Sequence, residues 1–272
     1  MKANANAKIN LFLNVVSKRE DGYHNLNMVT HPLELSDEIS IDFSDHDTLE
    51  GMESKDNIIW KTINVIRNLF DIKQSLRVKI TKNIPIGAGL GGGSADAAAT
   101  LKILNNLFDL GLSDDKLAKI GVSIGADVPM CIYNKPAIIA GVGEQIEFIP
   151  PIRSYVLLVV PNVEVSTSRV FGKTKQLKMK YKSPAKLIEA MRDNDQTAIE
   201  KNLLNDFTHI TTQLYEECKR ITILLRYNGV KFHMTGTGSV YYALYKDIDE
   251  RDTIANSIMQ MGIKIITTRL IV

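Results

Sequence analysis

Residues 85–101 read PIGAGLGGGSADAAATL, with glycines at 87, 89, 91, 92 and 93 followed at once by a run of alanine and leucine. Glycine loses more backbone freedom on folding than any other residue, so five within seven positions cost too much for a turn that only redirects the chain. The residues that follow are strong helix formers. A glycine-rich loop entering a helix presents backbone N–H groups with no side chains in the way, and the helix dipole adds partial positive charge at the same end. Such a nest of donors wraps phosphate oxygens without any lysine. The segment Pro85, Ile86, Gly87, Ala88, Gly89, Leu90, Gly91, Gly92, Gly93, Ser94 and Ala95 is therefore the expected phosphate-binding element.

Two other glycine patterns fit less well. Residues 87–92 match the dinucleotide fingerprint GxGxxG, but the preceding SLRVKIT (75–81) alternates polar and apolar residues instead of running apolar throughout. The acidic residue nearest the required spacing, Asp109, falls at the end of the helix and not after a second strand. A Walker A loop needs lysine directly before serine, and here Gly93 precedes Ser94.

Outward from the loop, the pattern is a mixture of strands and helices. Residues 7–15 alternate, with Ala7, Ile9, Leu11, Leu13 and Val15 on one face and Lys8, Asn10 and Phe12 on the other. REDGYH supplies a turn, and extended stretches follow at 26–35 and 37–43. Residues 57–70 carry isoleucines at helical spacing. A helix from Ser94 is expected to stop at Gly111, and Ser113 to cap the next one. Beyond the prolines at 150 and 151, a buried-type strand YVLLVV precedes helices at 184–193, 196–204, 208–227 and 248–261. VKFHMTGTGSVYYALY reads as strand, glycine turn, strand. The early strands in hairpin order predict an α+β chain of two domains, 1–150 carrying the phosphate loop and 151–272 completing the substrate site.

Composition sets further bounds. The 272 residues hold 44% apolar and 24% charged side chains, ordinary for a soluble globular protein. A net charge of +2 without a basic aromatic patch argues against nucleic acid and membrane surfaces as partners. Cys131 and Cys218 stand far apart in no metal or redox spacing, as free thiols in a cytoplasmic protein would. The early apolar stretch is broken by Asn10 and Asn14, and no run reaches the ~20 residues of a membrane span.

PIGAGLGGGSADAAATL resembles the second motif of the galactokinase, homoserine, mevalonate and phosphomevalonate kinase superfamily. NAKINLFLNV (6–15), DGYHNL (21–26), GADVP (125–129) and GTGSVYYAL (236–244), in that order, resemble the 4-diphosphocytidyl-2-C-methyl-D-erythritol kinase family within it. The resemblance implies ATP as co-substrate with Mg²⁺, and 4-diphosphocytidyl-2-C-methyl-D-erythritol as the small-molecule acceptor, phosphorylated on its 2-hydroxyl. It also implies an N-terminal domain like one in ribosomal protein S5, a ferredoxin-like C-terminal domain, and an active site in the cleft between them.

Individual residues keep two readings each. Lys8 is either a solvated strand-edge lysine or, by the resemblance, the catalytic lysine that stabilises charge on the transferred phosphoryl group. Asp127, two residues before Pro129, is either a helix N-cap or, by the resemblance, the group that accepts the hydroxyl proton or chiefly orients that hydroxyl. Tyr23 and His24 are turn aromatics or part of a cytidine pocket, with Asn10 beside them and Thr167 and Phe171 as a second wall. Gly236, Thr237 and Gly238 form a hairpin turn or the superfamily's third motif supporting the active site. Ser94 and Thr237 are candidate hydroxyl contacts to phosphate or magnesium; no carboxylate announces itself as a metal ligand. Six lysines between 173 and 186 read foremost as a solvated loop. The competing functions are a mevalonate- or homoserine-type kinase and a nucleotide-binding relative without turnover.

Overall fold

The computed structural model describes residues 1–52 and 57–272. Two strands dominate the beginning of the chain, β1 (Lys2–Lys18) and β2 (His24–Phe43). The expected extended stretches at 26–35 and 37–43 are thus one continuous strand of 20 residues. The chain forms two compact units, Met1–Ala7 with Leu35–Ile84 and Gly91–Asn134, and Lys8–Glu34 with Pro85–Leu90 and Lys135–Val272. The units interleave along the sequence instead of dividing at residue 150, because β1 and β2 each run from one into the other.

The first unit adds β3 (Thr48–Glu50), α1 (Ile58–Phe70), β4 (Leu76–Thr81), α2 (Gly92–Leu107), α3 (Asp114–Val122) and α4 (Val128–Tyr133). β4 lies between β3, which it joins in parallel, and the far end of β2, which it joins antiparallel with Ile39 opposite Ile80 and Ile41 opposite Val78. Strict alternation in β4 turns Leu76, Val78 and Ile80 inward. Asn57 caps α1 by accepting from the Ile59 amide, and Ile59, Ile63 and Ile66 form the helix's buried stripe. The alanines 95, 97, 98 and 99 of α2 are all buried in the same core. Small side chains on several faces let α1 and α4 pack close to this helix. α2 starts at Gly92, two residues before Ser94, and ends at Leu107, before the left-handed Asp109 and Gly111. Ser113 caps α3 as its position predicted, accepting from the Lys116 amide. α4, only six residues long, is too short to show a period in the sequence.

The second unit adds β5 (Ala137–Gly141), β6 (Gln145–Phe148), β7 (Tyr155–Val160), α5 (Thr167–Phe171), α6 (Ala185–Arg192), α7 (Gln196–Asn202), β8 (Leu204–Asn205), α8 (Thr208–Leu214), α9 (Glu216–Tyr227), β9 (His233–Met234), β10 (Tyr241–Tyr245), α10 (Ile248–Met259) and β11 (Lys264–Arg269). β5 pairs antiparallel with the start of β2 and with β6, while β8 joins β1 in parallel. A separate antiparallel sheet runs β11-β7-β10-β9. β7 sits inside it, which accounts for the unbroken apolar run YVLLVV. The helix expected over 208–227 is interrupted at Tyr215, whose φ of −129° and ψ of 106° are extended. The mixed architecture agrees with the α+β expectation. Among the described residues no helix is long and apolar enough to cross a membrane, and both cysteines are free.

His31, within β2, is fully buried with both ring nitrogens occupied: Nδ1 lies 3.1 Å from the Pro32 carbonyl and Nε2 accepts from the Ile152 amide at 3.3 Å. That pairing requires the neutral ring, and burial lowers its pKa to about 4. The unfolded chain binds a proton below about 6.5, so this contribution to stability is present above that pH and is lost as pH falls towards about 4. Thermal melts of wild type and His31→Gln between pH 8 and pH 4 should converge as pH drops; a constant gap would contradict the assignment.

Candidate active site

The glycine loop divides between the units, and each part has its own support. In residues 85–90, four successive carbonyls are tied down. Gly87 O accepts from the Val165 amide at 3.3 Å and Ala88 O from the Val240 amide at 3.2 Å. Gly89 O accepts from Lys8 Nζ at 3.0 Å and Thr235 Oγ1 at 3.1 Å, and Leu90 O from the Lys8 amide at 3.0 Å. These anchors use acceptors only and draw on none of the loop's amide donors, the groups a phosphate needs. Gly87 and Gly89 have φ of +63° and +76°, the left-handed region where side chains are strained.

Lys8 is only 5% exposed, so the solvated-edge reading fails. The polar face of β1 is covered as well as its apolar face. The Lys8 ammonium donates to Asn10 Oδ1 at 2.7 Å as well as to Gly89 O. Asn10 Oδ1 also accepts from the Gly236 amide at 3.0 Å, and its own amide N–H donates to Thr235 Oγ1 at 3.1 Å. Asn10 was expected among the substrate contacts; its side-chain oxygen is engaged in holding Lys8 and the third motif. Tyr242 closes the knot by donating its hydroxyl to Asn10 O at 3.0 Å. Thr237 lies 3.1 Å from Thr167 between hydroxyl oxygens, and its carbonyl accepts from Thr211 Oγ1 at 2.9 Å. Gly236, with φ of +56°, packs so closely that a Cβ there would come within 3.0 Å of Gly89. Lys8, Asn10, Gly87–Leu90, Thr167 and Gly236–Thr237 are therefore one connected group.

A second cluster is aromatic. His24 is buried, with its ring centroid 5.2 Å from that of Phe171, and Phe171 meets Phe207 edge-on at 4.7 Å. Tyr23, paired with Phe171 in the sequence reading, is instead 67% exposed. Thr174 Oγ1 donates to Phe171 O at 2.9 Å and lies 2.9 Å from His24 Nε2. With its one proton committed, that hydroxyl accepts from Nε2–H, which leaves Nδ1 as an acceptor. Burial, aided by Lys18, lowers the His24 pKa and keeps the ring neutral.

In the first unit, Gly91 (φ +72°) stands at the N-cap of α2 with no side chain to occupy the first amides of the helix. Gly92, Gly93, Ser94 and Ala95 form the opening turn. Beside it, Lys82 Nζ bridges two buried carboxylates, Asp37 and, at 2.8 Å, Asp96. A Cβ on Gly92 would lie 3.5 Å from that ammonium. Burial pushes the Asp96 carboxyl up against the pull of Lys82, and the nearby Asp37 adds to the rise. Sequence reasoning missed this trio, because Asp37 and Asp96 each look like ordinary polar positions in a strand and a helix. Asp127 occupies the N-cap position of α4, with Pro129 in the first turn, yet its carboxylate makes no capping bond. The cap reading thus holds for position and not for chemistry. Among the described residues no group of three or more His, Cys, Asp or Glu side chains is placed to hold a metal ion.

Gly89→Ala tests the loop. The added Cβ would stand 2.3 Å from Thr235 O, in a left-handed conformation. Gly262 is the control, since it has a φ of +74° and nothing within 4 Å of the same added atom. Gly89→Ala should lower kcat/KM by at least about a hundredfold, and Gly262→Ala by less than about threefold.

Residues 57–135 match the family model described as the GHMP kinases N terminal domain. The chain is 33% identical to the 4-diphosphocytidyl-2-C-methyl-D-erythritol kinase of Clostridioides difficile (strain 630), over 92% of this chain and 88% of that one. It is 35% identical to the kinase of the same name from Geobacillus sp. (strain WCH70), over 98% and 96%. A crystal structure of 4-(cytidine 5'-diphospho)-2C-methyl-D-erythritol kinase superposes with a TM-score of 0.80 at 26% identity, over 99% of both chains. A mevalonate kinase shares the fold alone, with a TM-score of 0.70 at 14% identity and 99% coverage of both chains. With full-length identity above 30% to several such enzymes, this chain belongs to the 4-diphosphocytidyl-2-C-methyl-D-erythritol kinase family of GHMP kinases.

Proposed function

We propose that the protein transfers the terminal phosphoryl group of ATP to the 2-hydroxyl of 4-diphosphocytidyl-2-C-methyl-D-erythritol, a step of non-mevalonate isoprenoid precursor synthesis. The observation that carries this reading is the buried Lys8 ammonium, fixed by Asn10 and Gly89 O at the base of the glycine loop. Held there, it opposes the negative charge of the phosphoryl group in flight without having to reorganise. The uncommitted amides of residues 87–94 cradle the phosphates, while that of Ala95 is committed to Gly91 O at 2.9 Å. Asp127 takes the hydroxyl proton as the new O–P bond forms and the bond between the β-phosphate and the terminal phosphorus breaks, releasing ADP. A magnesium ion would neutralise phosphate charge here, held chiefly by the triphosphate and waters, with the Ser94 or Thr237 hydroxyl as the protein group that would contact it.

The aromatic cluster suits the base. Cytosine presents its exocyclic amino group as a donor, and the free acceptor on His24 is Nδ1, with the Phe171 ring beside it. Tyr23, exposed at the entrance to β2, is available to close over the base from solvent. Nothing in the arrangement favours mevalonate or homoserine, which carry no base.

Phosphorus NMR with ATP and each of the three acceptors tests the reading: a new phosphomonoester signal, with ADP, should appear for the cytidine compound alone. Turnover of mevalonate or homoserine in its place would refute it. Asp127→Asn should melt like wild type and lose at least about a hundredfold in kcat. Phe171→Ala should raise the acceptor KM about tenfold and leave the ATP KM unchanged.

A further inference from the structure

Residues 204–207, Leu-Asn-Asp-Phe, meet both halves of the chemistry described for the second unit. Leu204 and Asn205 pair with Phe12 and Leu13 of β1. Asn205 Nδ2 donates to Met234 O at 2.7 Å and Gly236 O at 2.9 Å, so one carboxamide spans the turn that holds Asn10 and Gly89. Its Oδ1 accepts from the Phe207 amide at 2.8 Å, and the Phe207 ring is the edge on which Phe171 rests.

Asp206 points to the other neighbour. Its side chain is 11% exposed and accepts three bonds: from Asn14 Nδ2 at 2.8 Å, the Val15 amide at 2.9 Å and Lys182 Nζ at 2.5 Å. Asn14, fully buried, donates to Lys180 O at 3.1 Å and accepts from the Lys182 amide at 2.9 Å. Asn27 donates to Lys182 O at 2.9 Å. The lysine-rich stretch is therefore strapped across β1 and β2 at residues 180–182, and its upstream end carries Thr174, the partner of His24. A solvated loop would have no reason to engage two buried asparagines and a nearly buried aspartate.

We infer that Asn205 and Asp206 are positioning residues with separate tasks: Asn205 sets the turn that aligns Asn10, Lys8 and the phosphate loop, and Asp206 clamps the strap that holds His24 for the base. This inference rests on the kinase reading above. Neither residue need touch a substrate to matter, since each acts through one that the site uses.

Steady-state kinetics with both substrates, combined with limited trypsinolysis, tests it. Asp206→Ala should raise the cytidine-acceptor KM about tenfold, with kcat and the ATP KM changing less than about threefold. Trypsin should cut after Lys178 and Lys180 about tenfold faster in that variant. Asn205→Ala should lower kcat about tenfold, with the acceptor KM and strap cleavage near wild type. Lys182→Met breaks the same ion pair from its more exposed side and should reproduce both effects of Asp206→Ala; it decides the matter should Asp206→Ala fail to fold. Parallel losses in all parameters for both variants, or an unchanged acceptor KM with an intact strap, would overturn the division of tasks. If wild type failed to phosphorylate the cytidine acceptor, the kinase reading would fall, while the trypsin rates would still judge the strap.

Discussion

The side-chain oxygen of Asn10 holds the site of the second unit together. It accepts from a buried ammonium and from a backbone amide 226 positions further on, so first strand and third glycine motif share one acceptor. A nearly dry ammonium without acceptors would cost several kcal/mol, by the ordinary penalty for burying charge. Asn10 and Gly89 O offset part of that penalty and at the same time fix where the charge sits. The glycines at 89 and 236 follow from the same constraint, because a Cβ on either would separate the backbones that Thr235 and Lys8 join.

This arrangement explains why the loop is anchored through its carbonyls. A segment held through its carbonyls keeps its amides uncommitted, and residues 87–90 are held in that way. The neighbouring helix continues the logic. Its glycine cap leaves the opening turn without a competing side chain, and its buried alanines seat it in the core of the first unit. Fixed carbonyls and uncommitted amides are what a site for a highly charged co-substrate requires.

Much of this was legible in the sequence, for definite reasons. Alternation along 7–15 placed Lys8 and Asn10 on one face, and the glycine stretch announced donors at the mouth of a helix. The burial of that face was not legible, because the atoms that cover it come from residues 81 and 225 positions away. The resemblance grouped Tyr23 and His24 with Phe171, but no local pattern showed that His24 packs on Phe171 or that Thr174 holds it from a segment 150 residues on. The lysines at 173–186 looked like a solvated run by composition, and only Asn14, Asn27 and Asp206 reveal the strap. The strand at 204–205, two residues long, carries no period at all. Where a role depends on a distant acceptor, charge and spacing alone cannot assign it.

The central claim is that backbone amides of the glycine loop grip the phosphates while the Lys8–Asn10 pair holds the loop in place. Amide proton–nitrogen NMR spectra of the full chain, recorded while a non-hydrolysable ATP analogue is added with magnesium, address this directly. The largest shifts should fall on the amides of Gly87, Gly89 and Gly91 to Ser94, with downfield proton changes as charged oxygens are bound. If those amides stay in place while another surface responds, the account of this loop as the phosphate site is wrong.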